Sequence, residues 1–376
     1  MKKISTKQWN RDVKIGLLHR QGRSINKKQN LFNKTDFAGS DINKWIDEYK
    51  NNGLKATIIR NKVTIFLPER LNFSDEYEIT ALHLNAIRKL TESKAVSYKT
   101  YKLGKVDFDN LNSISTSAAL VLTAEISKWD DAVRNNLKPN IEKWNQNILI
   151  NFHELGYFDL FKNKPYINQE IETLEKTDKT IVKYIKGRLG DDTVTKSLKE
   201  KITNIIGDEI NKWTFLHSGL SEAIINVFHH AYPTKYGFSD VDKNWYLTAS
   251  YTKDTKALKV VFYDQGIGIP KSLPASEFWE RILDSLSSFS LVERKRDEVL
   301  LRAAVELDRT RTEESDRGKG LQDLLEFIRQ RGDGYLSILS LKGLFKLEVK
   351  NGIESIKTEH FNNPVCGTLI IWSVNV

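Results

Sequence analysis

The sequence predicts two unlike folded parts. An α/β domain spans residues 51–165, and an α+β two-layer sandwich spans 207–376. A basic arm at 1–50 precedes them, and a polar helical connector at 166–206 joins them. Three observations predict this. Short β-branched runs alternate with helical patterns through 51–165. From residue 209 a long helix, two strands, a charged insert, a helix and three strands follow as a block, unlike a parallel nucleotide fold. The chain has 376 residues, 40% hydrophobic and 28% charged, which suits two or three globular domains and excludes a largely disordered chain.

The arm carries the charge. Residues 1–34 hold ten basic side chains and one acid, Asp12, so their net +9 equals that of the whole chain and the remainder is balanced. Such an arm binds nucleic acid or an acidic partner by counterion release, or else is a solvated tail; Trp9 and Phe32 are the aromatics in it that would stack on bases. No run of about 18 apolar residues is present, so no membrane partner is expected. The apolar stretch Ile15–Leu18 is too short for a secretory leader. The single cysteine, Cys366, excludes an internal disulfide and a cysteine metal cluster, and the seven histidines suggest no zinc site. A cytoplasmic location is expected.

Taken in order, Lys55–Ile59 and Val63–Leu67 read as a strand pair around the polar turn Arg60-Asn61-Lys62. Residues 76–92 have helical spacing through Tyr77, Ile79, Leu82, Leu84, Ile87 and Leu90. Val106 to Ile114 reads as a strand. Ser115-Thr116-Ser117 then opens a helix over the apolar run from Ala118. Residues 147–151 read as a strand, followed by a short helix from Leu155 to Phe161. Gly190, Lys196 and Ser197 miss the phosphate-loop pattern, because Thr195 stands where a glycine is needed. Beyond 209 come a helix to Ala231, strands at 245–251 and 258–263, a glycine turn at 264–270, a charged insert at 271–317, a helix at 321–328, and strands at 335–341, 344–349 and 368–374.

Three motifs in this second half carry chemistry. In Ser221-Glu222-Ala223-Ile224-Ile225-Asn226-Val227-Phe228-His229-His230-Ala231-Tyr232, Glu222, Asn226 and His230 are four apart and share a helical face. His229 falls on another. Asp264-Gln265-Gly266-Ile267-Gly268 follows an apolar strand; an aspartate there accepts from a base amino group, and the glycines allow a tight turn. Arg317-Gly318-Lys319-Gly320-Leu321 opens a helix, where backbone amides face phosphate oxygens and Lys319 adds charge.

In this order and spacing the motifs resemble the GHKL ATPase superfamily, the Bergerat ATP-binding fold shared by DNA gyrase, histidine kinases and a mismatch-repair ATPase. They look like its asparagine box, first glycine box and second glycine box, with Gly367-Thr368 like the terminal strand beside the adenine pocket. The resemblance covers about residues 205–376. It implies ATP and Mg²⁺ as cofactors: Asn226 would bind Mg²⁺, Glu222 would be the catalytic general base, and Asp264 would read adenine. His230, Gly266, Gly268, Gly318, Lys319, Gly320, Leu321 and Thr368 would line the nucleotide site. Around Ser221-Glu222 the string is most similar to anti-sigma-factor serine kinases. Residues 51–165 resemble a STAS domain through Val106-Asp107-Phe108, Ile114–Leu120 and His153–Phe161. The Asp-Ser-Ser-Gly-like acceptor turn of that family aligns with Ser115-Thr116-Ser117-Ala118, without its aspartate and glycine.

The resemblance implies an intracellular Mg-ATP-binding regulator. It would hydrolyse ATP slowly or pass the γ-phosphoryl to a protein Ser/Thr hydroxyl, with a protein partner and a homodimer both allowed. The alternative is a nucleotide-gated interaction module with little turnover, such as a bacterial stress or defence component that binds nucleic acid through residues 1–34.

Overall fold

The computed structural model describes residues 39–92, 99–129, 134, 140–165, 178–188, 193–206, 213–238, 242–276, 279–311 and 320–376. The basic segment 1–34 and the motif residues Arg317, Gly318 and Lys319 lie outside the described residues.

The first half begins with helix α1 (Gly39–Asn51). Strands β1 (Ala56–Ile59) and β2 (Lys62–Phe66) then form an antiparallel hairpin, with Arg60 at φ 60° in the turn. After the short β3 (Arg70–Leu71), helix α2 (Tyr77–Glu92) crosses over to β4 (Lys102–Asp107), which pairs parallel with β2. Where one strand from 106 to 114 is expected, two form. The Asp107 carboxylate accepts from the amide of Asp109 at 3.0 Å and turns the chain, and β5 (Ser113–Ile114) pairs with β3 instead. Helix α3 (Thr116–Ser127) is capped by Ser115, whose hydroxyl accepts from the Ala118 amide at 3.2 Å. Every residue of α3 is buried, as an all-round apolar helix requires.

Residues 147–151, expected as a strand, belong to helix α4 (Gln146–Leu155). Asn145 caps its start, and Ile148, Leu149, Phe152 and Leu155 share a buried face at helical spacing. Gly156, at φ 83°, ends it, and Tyr157–Leu160 forms a 3₁₀ turn. Part of the expected helical connector is also strand. β6 (Lys179–Ile181) and β7 (Ile185–Gly187) both pair with the sheet of the second half, before helix α5 (Thr193–Ile206).

The second half runs from helix α6 (Trp213–Asn226) to β8 (Trp245–Thr252) and β9 (Ala257–Asp264). Helices α7 (Trp279–Ser285), α8 (Asp297–Arg311) and α9 (Gly320–Arg331) follow, then a hairpin of β10 (Gly334–Lys350) and β11 (Ile353–Asn375). The six-stranded antiparallel sheet has the order β10-β11-β9-β8-β6, with β7 also on β8. The hairpin is longer than the pattern predicts, and it doubles back. A straight strand of β10's 17 residues would separate its ends by about 50 Å. Instead, the tip amides of Asn351 and Gly352 bond to Asp333 and Gly332, beside the start of β10. The bend falls at the register breaks between Ser340 and Gly343, where Leu341 has φ 54°.

The sheet is covered on both faces. Leu258, Val260 and Phe262 of β9 join the core formed with α5, α6, α8 and α9. Val261 and Tyr263, pointing the opposite way, join the core of the first half with α2, α3 and α4. The insert at 271–317 contributes to the first of these cores: Leu301 and Val305 of α8 are buried there. No described helix is long and apolar enough to cross a membrane.

Candidate functional site

Helix α6 lays Ala223 and Ile224 against the sheet, leaves Glu222 half-buried and leaves Asn226 exposed. Glu222 and Asn226 are one helical turn apart and share a flank. The helix then widens into a π turn, Val227–Ala231, which carries exposed His229 and His230. Partial desolvation and the neighbouring His229 hold the His230 imidazole below its ordinary pKa.

This helix end is stitched to the turn after β9. The Ile267 amide donates to the carbonyl of Ala231 at 2.8 Å. The Gln265 amide donates to the Tyr232 hydroxyl at 3.0 Å, and that hydroxyl donates to the carbonyl of Asn244 at 2.6 Å. Gly266 is required by the same junction, since a Cβ there would lie 2.3 Å from the Ala231 oxygen. Gly268 adopts φ 82° and leads into the single turn Ile269–Ser272, whose first amide donates to the Ser340 hydroxyl at 3.0 Å. The tight approach of both glycines is therefore to the chain itself.

Asp264 ends β9 in register with Trp245 on β8 and Thr368 on β11. Alternation along the strands points Asp264 and Thr368 to the α6 side of the sheet. Asp264 is 4% exposed. Its carboxylate accepts from the Gly266 amide at 2.8 Å and from the Thr368 hydroxyl. Burial lifts its pKa to about 6, against the opposing pull of those two donors. The Ser340 hydroxyl lies 3.3 Å from that of Thr368 and donates to the carbonyl of Gly367 at 2.8 Å. A carboxylate that accepts one amide and one hydroxyl hydrogen keeps lone pairs with which to accept from the amino group of a base.

Of the expected residues, Glu222, Asn226 and His230 share one helix end, which is bonded to the turn carrying Asp264, Gly266 and Gly268, with Thr368 on the next strand. Gly320 and Leu321 open α9, whose Leu325 and Ile328 are buried in one core with Leu216, Leu220 and Ala223 of α6. A cavity of about 260 Å³, lined by Ile224, Phe228, Tyr232, Lys243 and Trp245 among others, lies on the flank of α6 opposite Asn226. None of the described site residues lines it.

No family model, curated protein or solved structure matches this chain. The functional reading therefore rests on the residues and their geometry.

Sequence reasoning missed three residues that build the site: Tyr232, Gln265 and Ser340. Tyr232 and Gln265 sit inside quoted motifs but act through contacts distant in sequence. Ser340 offers no local signal.

Proposed function

We propose that this chain is a Mg-ATP-binding regulator of the GHKL type, with a Bergerat-like second half and a STAS-like first half. The observation that carries this reading is the convergence of the first two motifs with the terminal strand. The Ala231-Tyr232 helix end, the Asp264–Gly268 turn and the Thr368 strand meet through direct hydrogen bonds. The order of helix, strand pair, insert, helix and hairpin supports the same reading. In the first half, an antiparallel strand pair and a parallel third strand reached over a helix support the STAS likeness.

The residues present fit the cofactors. Among the described residues, no group of three or more His, Cys, Asp or Glu side chains could hold a metal by itself. Mg²⁺ in nucleotide sites takes one or two protein oxygens beside phosphate oxygens and water, and the exposed Asn226 amide oxygen suits that role. Mg²⁺ supplies neutralisation of phosphate charge. Asp264 and Thr368 bind the base and orient the nucleotide. Glu222, on the same flank as Asn226, orients the acceptor and takes its proton.

Hydrolysis, or transfer to a hydroxyl of another protein, is favoured over transfer to this chain's own acceptor-like turn. Thr116 is 2% exposed and donates to the Ser250 hydroxyl of β8 at 2.9 Å, and Ser117 is 4% exposed. The shared sheet favours a second reading, a nucleotide-gated module that binds ATP with little turnover and changes its contacts with a partner.

The deciding experiment incubates the full chain with Mg²⁺ and γ-labelled ATP. Nucleotide binding, free phosphate and protein-bound label are measured together. Binding should fall about tenfold or more in Asn226→Ala, the order of loss seen when a neutral group supporting a metal site is removed. Free phosphate without label at Thr116 would indicate an ATPase switch; binding without release would indicate the gated module. No ATP binding by the unaltered chain, or equal binding by Asn226→Ala, would overturn the proposal.

A further inference from the structure

Behind the Asp264–Thr368 pair, on the opposite face of the sheet, lies a buried charged network. Its hub is Glu125 of α3, 4% exposed. One carboxylate oxygen accepts from the Gln265 side-chain amide at 2.7 Å, the Arg88 guanidinium at 3.2 Å and the Tyr263 hydroxyl at 3.3 Å. Gln265 and Tyr263 are fully buried, and Arg88, on α2, is 8% exposed and also pairs with Glu92 at 3.2 Å. A buried ion pair is weak support for stability, because apolar residues of the same volume often serve as well or better. What this carboxylate does is hold three groups in one orientation, and two of them flank Asp264 in the chain.

Gln265 is the link. Its backbone amide is bonded to Tyr232 at the α6 end, and its side chain to Glu125 on the other face. The Thr368 side of the pair is braced from the same layer. Glu78 of α2 accepts from the amides of Asn362 and Asn363 at 2.6 and 2.9 Å, and Asn85 donates to the carbonyl of Pro364 at 2.9 Å. Chain neighbours of both Asp264 and Thr368 are thus bonded to the first half of the chain.

We infer that Glu125 is a positioning residue for base recognition: by holding Gln265 it sets the Asp264 carboxylate against Thr368, and so makes the first half of the chain a determinant of purine selectivity. The inference rests on the reading of Asp264 as the group that accepts the adenine amino hydrogen. ATP and ITP test it, because inosine has a carbonyl in place of that amino group.

Affinities of the full chain for ATP and ITP are measured by calorimetry, with melting temperatures in parallel. The unaltered chain should prefer ATP by about tenfold or more, as expected for one hydrogen bond to a charged acceptor. Glu125→Ala and Gln265→Leu should each bring that ratio close to one, chiefly by weakening ATP. The double variant should add little, since both act through one bond. Val121→Ala, a cavity on the same buried helix, should lower the melting temperature and leave the ratio intact. If Glu125→Ala does not fold, Gln265→Leu carries the test alone. Retention of the full ratio in the folded variants would overturn the inference. An unaltered chain without preference for ATP, or a ratio unmoved by Asp264→Asn, would instead overturn the reading of Asp264, and the inference with it.

Discussion

Asp264 shows what the site demands of one residue. Its folded pKa, about 6, lies above the ordinary 3.8, so folding favours the neutral acid. The stability this supplies is complete below the ordinary value and is lost as pH rises through about 6, a difference of about 3 kcal/mol. Asp264→Asn is always neutral and keeps an acceptor for the Gly266 amide. It should therefore melt above the unaltered chain at pH 8, show no such gain near pH 4, and lose ATP binding. A lower melting temperature at pH 8 would refute this. ATP affinity should rise between pH 5 and 7 as the carboxylate ionises and accepts the amino hydrogen, and a flat calorimetric profile would refute that. Gly266→Ala places a Cβ against the Ala231 oxygen and should cost about 1–3 kcal/mol in urea unfolding, with ATP affinity falling in parallel. Asp264 and the turn glycines were legible in the sequence because each obeys a local rule. Gln265 obeys no such rule, because its role is set by a tyrosine 33 positions away and a glutamate 140 positions away.

At the scale of elements, periodicity located α2, α3, α6, β8 and β9 well. It failed where one short apolar run fits two states. Ile148-Leu149-Ile150 suits a strand by composition, but the Asn145 cap and the Gly156 stop make a helix whose buried face also includes Phe152 and Leu155. β6 and β7 are three residues each, too short to give a period, and exist because β8 supplies their hydrogen-bond partners. The pattern gives separate strands at 335–341, 344–349 and 368–374 because Lys342-Gly343 and the largely polar stretch 350–364 interrupt the apolar runs. Helix α3 is the element on which both halves depend. Leu120→Ala within it should cost about 2–5 kcal/mol, measured by urea unfolding, because Leu120 is fully buried in the core shared with the sheet. A loss below about 1 kcal/mol would show that the site collapses around the cavity.

The whole molecule is organised by one sheet with a core on each face. Tyr246, Val261, Tyr263, Leu369 and Ile371 face the first half, so a fragment of residues 207–376 would expose them to water. Expressed alone, that fragment should aggregate, and co-expression with residues 1–206 should return it to solution. A soluble, cooperatively melting fragment would refute the shared-core account. The sequence by itself determined the α/β character of the first half, the helix–strand–turn grammar of the second, and the order of motifs from Glu222 to Thr368. All of these follow from propensity, period and turn chemistry over a few residues. Only the tertiary structure decided that the sheet is covered twice, that Thr116 is shut against β8, and that Glu125 stands behind the Asp264 turn. Those outcomes depend on which buried surfaces meet, and strand alternation hands each face its side chains without naming what will cover it.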